Sequence, residues 1–180
     1  MPYTFTYDWF SGNIPTFERC LGSFKDQPCN AVEIGTHEGR SATWLLTNIL
    51  THPDSRLTCL DIVEQPVLEA NLVATGSRQK VNVKIGESHD MLETIPTGTL
   101  DFAYIDGSHW ACDVLEDAIL TFRRVRCGGI IGFDDYLWND PQFNQNGVPK
   151  PAIDAFLANF AHKLDILEHG YQVWVRKTSN

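Results

Sequence analysis

The chain has 180 residues, of which 43% are hydrophobic, and this is enough for one domain with a sizeable core. Its formal net charge of -9 argues against a nucleic-acid partner, because binding a phosphate backbone needs a basic stripe and only Arg123, Arg124 and Arg126 cluster. The five cysteines form no Cys-x-x-Cys pair, and no leader or membrane-spanning run is visible, so the sequence predicts a cytoplasmic protein without a zinc site.

Segments with the periodicity of strands and helices alternate along the chain. A helix is predicted over residues 14–25, and residues 1–28 are taken as an N-terminal helix and lid. Strands are predicted at 31–35, 57–61, 81–85, 100–105 and 130–133, and helices at 40–50, 66–75, 89–94, 111–126 and 151–161. Residues 136–149 resemble a loop, and 164–167 with 171–176 resemble a terminal hairpin around Gly170. This alternation predicts a single α/β domain with a parallel sheet covered on both faces.

The first predicted strand leads into a turn that contains two glycines four residues apart. The pattern is Glu33-x-Gly35-x-x-x-Gly39, and a helix begins near Ser41. Glycine tolerates positive φ and close backbone approach, and the N–H groups of a helix start would face a bound ligand. Because the spacing is not Gly-x-Gly-x-x-Gly, it points away from nicotinamide dinucleotides and toward a different adenosine-bearing cofactor. A tight turn without a ligand is the alternative.

Polar residues or glycines also follow the other four predicted strands of the parallel sheet. Asp61 ends the second strand, residues 86–90 follow the third, residues 106–109 follow the fourth, and Asp134 and Asp135 follow the fifth. Ligands of open α/β sheets bind beyond the carboxyl ends of the strands. The sequence therefore predicts a binding site along this edge of the sheet.

In this order and at these separations, the motifs resemble those of class I S-adenosylmethionine-dependent methyltransferases. The closer resemblance is to the small O-methyltransferase-like branch called methyltransferase family 24, over roughly residues 8–176. The segments that carry it are 32–41, 57–61, 85–90, 100–106 and 128–135. It implies a Rossmann-like three-layer sandwich with a mostly parallel seven-stranded sheet whose last strand is antiparallel. It also implies methyl transfer from S-adenosyl-L-methionine to a small hydroxylated molecule, such as a sugar, phenol or natural product.

The resemblance further implies which residues contact the cofactor. Glu33, Gly35 and Gly39 would hold its methionine end, and Asp61 would accept both ribose hydroxyls unless it only caps a helix. Ser41 would either cap the helix or meet the cofactor carboxylate. The remaining predicted contacts are Thr36, His37, Ile62, Gly86, Ser88, His89, Asp106 and Trp110. Among these, Gly86, Ser88 and His89 would lie at the adenine edge, although His89 would also suit a plain surface position.

Asp106, Asp134 and Asp135 extend the resemblance to metal-dependent catechol O-methyltransferases. It implies that these carboxylates bind Mg²⁺ or another divalent cation, which prefers hard oxygen ligands and would lower a hydroxyl pKa. The sequence departs from that pattern, since Asp135 replaces an Asn and no Lys follows Asp106 before Lys150. His109 is therefore predicted as the general base, with Asp106 as the second catalytic residue. His109 would alternatively be a metal ligand or a structural histidine, and without a metal Asp106 and Asp134 would position the substrate hydroxyl.

Two aromatic-rich segments, residues 7–15 and 136–149, are predicted to cover the site. Trp110, Tyr136 and Trp138 would form its wall or simply pack against neighbouring helices. Because the chain leaves no room for a separate substrate domain, we expect a small-molecule acceptor. The site would lie within one chain or be shared in a homo-oligomer, and no membrane partner is expected. The main alternative function is a cofactor-binding module without transferase activity, and a dehydrogenase ranks last because its glycine pattern is missing.

Overall fold

The computed structural model describes residues 2–139 and 147–180, which form one α/β domain. The strands are β1 (Asn30–Ile34), β2 (Arg56–Asp61), β3 (Val81–Ile85), β4 (Leu100–Ile105), β5 (Val125–Phe133), β6 (Leu164–His169) and β7 (Val173–Lys177). The helices are α1 (Ile14–Leu21), α2 (Arg40–Asn48), α3 (Leu68–Ala74), α4 (Ser88–Glu93), α5 (Ala111–Arg124) and α6 (Lys150–Phe160). Among these residues, no helix has the length and apolarity that crossing a bilayer requires.

The seven strands form one sheet in the order β3-β2-β1-β4-β5-β7-β6. Strands β1 to β5 are parallel to one another, whereas β7 is antiparallel to both β5 and β6. This confirms the predicted seven-stranded, mostly parallel sheet with an antiparallel last strand. The strand order changes direction between β1 and β4, and this is the position at which open α/β sheets bind their ligands.

Apolar residues cover both faces of the sheet, which makes the domain a three-layer sandwich. Helices α1, α2 and α3 pack on one face, where Leu45 of α2 is fully buried. Helices α4, α5 and α6 pack on the other, where Phe156 of α6 is fully buried. Successive residues of β1 alternate between these layers, since Ala31 faces the first and Val32 the second. Glu33 therefore points into the first layer, a core position that usually holds an apolar residue.

The strand predicted at 130–133 begins earlier than expected and includes Gly128 and Gly129, which lie just after the helix predicted over 111–126. Helix α5 ends at Arg124, and β5 begins directly at Val125, so both glycines lie within the strand. The pairing of β4 with β5 shifts register between Leu100 and Phe102, which is the mark of a bulge. Gly128 has φ +84°, and a Cβ on Gly129 would lie 2.8 Å from the carbonyl oxygen of Asp101. The glycines are therefore needed where the bulge brings the two backbones together.

The helices predicted over residues 14–25 and 66–75 are shorter than expected. The N-terminal helix α1 ends at Leu21, and a 3₁₀ turn at Gly22–Phe24 replaces its predicted last turn. Helix α3 begins at Leu68 rather than at Pro66. Both ends lie in turns, where tertiary contacts rather than periodicity set the boundary.

Candidate active site

A cavity of about 1130 Å³ opens at the carboxyl ends of the parallel strands. The predicted site residues that line it are Gly35, His37, Asp61, Ile62, Ser88, His89, Asp106, His109, Trp110, Asp134 and Asp135. A smaller cavity of about 60 Å³ is lined by Thr36 and Ser41, and it shares Gly35, Asp106 and Asp134 with the large one. Glu33, Gly39 and Gly86 line neither of these cavities. The structure therefore gathers most of the predicted residues in one place.

The glycine turn after β1 packs against the loop after β4. Gly35 has φ +87°, and a Cβ there would lie 1.8 Å from the carbonyl oxygen of Asp106. Gly39 has φ +81°, and a Cβ there would lie 2.7 Å from Cδ1 of Leu68. Glycine is therefore required at both positions because φ is positive and because other parts of the chain pack closely against the backbone. The sequence had suggested instead that the glycines allow a ligand to approach.

Glu33 is a fully buried acid at the base of this turn. Its Oε2 lies 4.0 Å from Sγ of Cys59, and its Oε1 has no hydrogen-bond partner among the described residues. Burial raises the pKa of Glu33 to about 7, and the nearby hydroxyls of Ser41 and Thr36 only partly oppose this. A buried acceptor without a donor fits the ammonium group of an amino-acid ligand. Ser41 does not cap α2, because Gly39 is the N-cap and no side chain bonds to the helix end.

Asp61 connects two turns at the rim of the cavity. Its Oδ2 accepts a 2.6 Å hydrogen bond from the backbone N–H of His37, and its Oδ1 accepts a 3.0 Å bond from that of Val63. It does not cap α3, which begins after Val67 without a side-chain cap. Each carboxylate oxygen has two lone pairs, so both retain one for a ligand hydroxyl. The arrangement fits a ribose.

Ser88 and Asp117 lie at another edge of the cavity. The Ser88 hydroxyl donates a 2.6 Å hydrogen bond to Oδ1 of Asp117, which is buried on α5. Burial raises the pKa of Asp117 to about 6. The sequence analysis missed Asp117, although an acid three residues after Val114 on the apolar face of an amphipathic helix is a usable signal. His89 is only partly buried and lies 3.4 Å from Asp90.

His109 and Asp135 form a hydrogen-bonded pair on the opposite side of the cavity. Nε2 of His109 lies 2.9 Å from Oδ2 of Asp135, and the His109 ring stacks on Trp138 with centroids 4.3 Å apart. The hydroxyl of Tyr171 donates a 3.0 Å hydrogen bond to the other oxygen, Oδ1 of Asp135. Asp135 itself has φ +56°, an uncommon conformation for a residue other than glycine. This is the geometry of a base held by an orienting carboxylate.

Asp134 is buried at the centre of a polar network. Its Oδ2 accepts hydrogen bonds from the Tyr104 hydroxyl and from Nδ2 of Asn13. Its Oδ1 accepts bonds from Nε2 of Gln172 and from the backbone N–H of Asp135, at 3.1 and 2.8 Å. Four donors thus occupy the four lone pairs of this carboxylate. The sequence analysis missed these partners, which come from α1's N-terminal end, β4 and the hairpin.

The predicted metal ligands Asp106, Asp134 and Asp135 do not form a ready metal site. In residues 2–139 and 147–180, no group of three His, Cys, Asp or Glu side chains is arranged to hold a metal ion. Four hydrogen bonds already use the lone pairs of Asp134 that a cation would need, whereas each oxygen of Asp135 accepts one bond and keeps one lone pair. Burial, together with the charges of Asp134 and Asp135, raises the pKa of Asp106 well above its ordinary value.

The predicted aromatic wall is partly correct. Trp110 and Trp138 line the cavity, as does Trp9 of the N-terminal segment. Tyr136 does not, because it is buried beside α6, where its hydroxyl donates a 2.9 Å bond to Oδ1 of Asp154. Residues 140–146 of the predicted covering segment 136–149 lie outside the described residues.

The family model described as a methyltransferase domain, methyltransferase family 24, matches residues 32–136, more than half of the chain. Catechol O-methyltransferase of Mycobacterium tuberculosis is 29% identical over 130 residues, covering 64% of this chain and 57% of its own length. Caffeoyl-CoA O-methyltransferase 1 of Arabidopsis thaliana is 27% identical over 127 residues, covering 61% and 44%. The chain thus spans about half the length of these relatives.

The fold also matches solved structures. The structure of an O-methyltransferase from Bacillus cereus in complex with SAH superposes with a TM-score of 0.71 at 19% identity, covering 98% of this chain and 84% of that one. This likeness confirms the Rossmann-like methyltransferase fold. The strand-end motifs, the cavity they line and the match over residues 32–136 agree, and the chain belongs to methyltransferase family 24.

Proposed function

We propose that this chain is an S-adenosylmethionine-dependent O-methyltransferase that acts on a small hydroxylated molecule. The observation that carries the proposal is a single cavity that joins Asp61, and Gly35 and His37 of the glycine turn, to the His109–Asp135 pair. One side of this cavity suits an amino acid attached to a nucleoside, and the other suits a proton acceptor. Membership of a methyltransferase family supports this assignment.

The residues of the first side fit the cofactor. Oε1 of Glu33 is a buried acceptor for its ammonium group, and the free lone pairs of Asp61 are acceptors for its ribose hydroxyls. Ser88 and Asp117 would face the adenine edge. When bound, S-adenosylmethionine supplies an electrophilic methyl group on a sulfonium. The protein's remaining task is to position a hydroxyl in line with that methyl and to remove its proton.

His109 would take the proton from the acceptor. With the Nε2–H of His109 donating to Asp135, Nδ1 is the nitrogen left to accept it. The hydroxyl proton would pass to Nδ1 as the acceptor oxygen takes the methyl group that S-adenosylmethionine would supply. Asp135 keeps the ring in this orientation and stabilises the imidazolium that results. Asp106 lies in the same cavity and would position the hydroxyl. None of these steps requires a metal.

A kinetic comparison tests this assignment. Methyl transfer to a panel of phenols, catechols and sugars would be measured with and without Mg²⁺. His109→Ala should lower kcat by roughly 10²–10⁴-fold, the range for general bases, without weakening cofactor binding. His162→Ala, which removes an exposed histidine of another turn, is the matched control.

The alternative is a cofactor-binding module without transferase activity, which the lack of a lysine between Asp106 and Lys150 favours. Calorimetric binding of S-adenosylmethionine without turnover on any acceptor would support the module. Full activity of His109→Ala would instead remove the histidine from the mechanism. Cytoplasmic location and a possible homo-oligomer remain predictions.

A further inference from the structure

Asp117 is a buried carboxylate in the wall of the large cavity. It lies on α5, and the residue is almost completely shielded from solvent although it borders the cavity. Three neighbouring acids also line the cavity, namely Glu87, Asp113 and Glu116, but all three are exposed. An exposed carboxylate keeps its water, whereas a buried acceptor discriminates strongly between a ligand that brings a donor and one that does not. Among these four acids, Asp117 is therefore the one suited to select a ligand.

Two hydrogen bonds place Asp117 relative to the proposed ribose site. Ser88, the first residue of α4, donates a 2.6 Å hydrogen bond to Oδ1 of Asp117. The turn just before Ser88 is fixed to β2, because the backbone N–H of Gly86 donates a 2.9 Å bond to the carbonyl oxygen of Asp61. The methionine end of the cofactor is assigned to the turn after β1, on the opposite side of β2 from β3. The base would therefore lie on the β3 side, beside Ser88 and Asp117.

The side chains of Ser88 and Asp117 present acceptors to the cavity. The Ser88 hydroxyl gives its one hydrogen to Asp117, which leaves only lone pairs on its Oγ. No other side chain of the described residues donates to Asp117, so Oδ2 is unpaired, and it remains accessible. Burial raises the pKa of Asp117 to about 6, so at pH 8 the carboxylate is ionised and can only accept hydrogen bonds.

The 6-amino group of adenine has the chemistry that this part of the wall needs. It carries N–H donors, whereas guanine and hypoxanthine carry a carbonyl oxygen at the same position. A carbonyl oxygen turned toward Oδ2 of Asp117 would place two acceptors against each other without a hydrogen between them. Both would lose their hydration and gain no partner, which is the situation that lets a polar site reject a ligand of the right shape.

We propose that Asp117 selects the base of the cofactor, with Oδ2 accepting a hydrogen bond from the 6-amino group of adenine. Ser88 holds the carboxylate in position through Oδ1. This inference rests on the proposed function and assigns a specificity-determining residue to its cofactor side. The site rejects nucleosides with a 6-oxopurine base, although these have the same ribose and nearly the same shape.

A purely structural role for Asp117, in which it only anchors the start of α4, uses a different oxygen. The anchor needs Oδ1, which accepts the bond from Ser88, whereas the selection of the base needs Oδ2. Asparagine separates the two roles. Its Oδ1 still accepts the bond from Ser88, and its Nδ2 puts a donor where the carboxylate has an acceptor.

The experiment compares S-adenosylhomocysteine with S-inosylhomocysteine, in which a carbonyl oxygen replaces the 6-amino group. Calorimetry on the whole chain at pH 8 would measure both dissociation constants. The wild-type protein should bind the adenosyl ligand at least about tenfold more tightly, the lower end of the range for a hydrogen bond to a charged group. Asp117→Asn should bind S-adenosylhomocysteine more weakly and S-inosylhomocysteine more tightly, so that the ratio falls by at least about tenfold.

Asp113→Asn is the matched control. It makes the same substitution one helical turn earlier, at an exposed position that also lines the cavity, and it should leave the ratio unchanged. A fall of the ratio in Asp113→Asn but not in Asp117→Asn would overturn the inference in favour of the exposed acid. An equal loss of both affinities in Asp117→Asn would overturn it in favour of the structural anchor.

The wild-type measurement separates this inference from the proposed function and does not depend on the folding of a variant. If neither ligand binds, the proposed function itself is wrong. If both bind with equal affinity, the cofactor assignment stands and the selection of the base by Asp117 is wrong.

Discussion

Glu33 is the residue whose burial has the clearest energetic consequence. Its pKa rises from 4.5 to about 7 because the folded chain buries the carboxyl away from water. A carboxyl whose pKa is raised on folding contributes most stability at acid pH, where it is protonated in both states. That contribution is lost as the pH rises through about 7, since ionising the buried group then opposes folding. The ligand-free protein should be less stable at pH 8 than at pH 5 on account of this group.

Replacing Glu33 should therefore have opposite effects on stability and on binding. At pH 8, Glu33→Gln should stabilise the ligand-free protein by up to roughly 3 kcal/mol, because the neutral amide does not have to ionise. At pH 5, close to the ordinary pKa of the group, the gain should fall to about 1 kcal/mol, and S-adenosylmethionine should bind more weakly at either pH. Urea denaturation at both pH values measures the first effect, with the exposed Glu93→Gln as control. A loss of stability at pH 8 would contradict the assignment.

Asp61 allows a second prediction at the scale of one residue. Asp61→Ala should weaken cofactor binding by roughly 1–3 kcal/mol, the range for hydrogen bonds to a charged group. Because Asp61 also holds the backbone of His37 and Val63, part of this loss would come from the loosened turns. Calorimetry on Asp61→Ala, Asp61→Asn and the exposed control Asp54→Ala would separate the loss of the ribose hydrogen bonds from the loosening of the turns. Unchanged affinity in Asp61→Ala would mean that the ribose lies elsewhere.

At the scale of elements, hydrogen bonds hold the N-terminal segment against the glycine turn and α3. The backbone N–H and the hydroxyl of Thr6 each donate a 2.6 Å hydrogen bond to the carboxylate of Glu38. Asn71 of α3 bonds to both the N–H and the carbonyl of Thr4. Trp9, further along the segment, lines the cavity. These contacts support the proposal that residues 1–28 act as a lid on the cofactor end.

Releasing the segment should shorten the residence time of the cofactor. We expect Glu38→Ala to raise the dissociation rate of S-adenosylmethionine several-fold, because both bonds to Thr6 end on this exposed carboxylate. Stopped-flow fluorescence of the tryptophans would follow the release. Glu18→Ala, on the solvent side of α1, is the control. Identical rates in the two variants would show that the segment does not retain the cofactor.

The order of elements and the binding edge could be predicted because they depend on local patterns. Strand ends marked by Asp61 and Asp106 are visible in the sequence as apolar runs followed by acids. Gly129 could not be placed correctly, because glycine is required at this position by the carbonyl oxygen of Asp101 on a neighbouring strand. The partners of Asp134 were missed for a similar reason: Tyr104 and Gln172 meet only because β7 returns beside β5.

The whole molecule should be stabilised by the ligand that its cavity is proposed to hold. S-adenosylmethionine at 100 times its Kd should add about 2.7 kcal/mol to the free energy of unfolding. For a chain of this size, that corresponds to a rise in Tm of roughly 5–10 °C. Differential scanning calorimetry would measure the shift, and ATP, which shares the adenosine but is anionic, is the comparison ligand. An equal shift with ATP would show that adenosine alone is recognised.

The carbonyl oxygen of Asp106 occupies the place where any side chain at position 35 would begin. The loop that carries Asp106 and the turn that carries Gly35 therefore fit each other closely, and the backbone path of one constrains that of the other. An exchange of the β4–α5 loop with that of a relative would bring a new backbone path against an unchanged turn. Chimeras that transplant both segments together should fold, whereas those that transplant one should not. A change of acceptor preference that alters the β4–α5 loop would then require a matching change in the glycine turn.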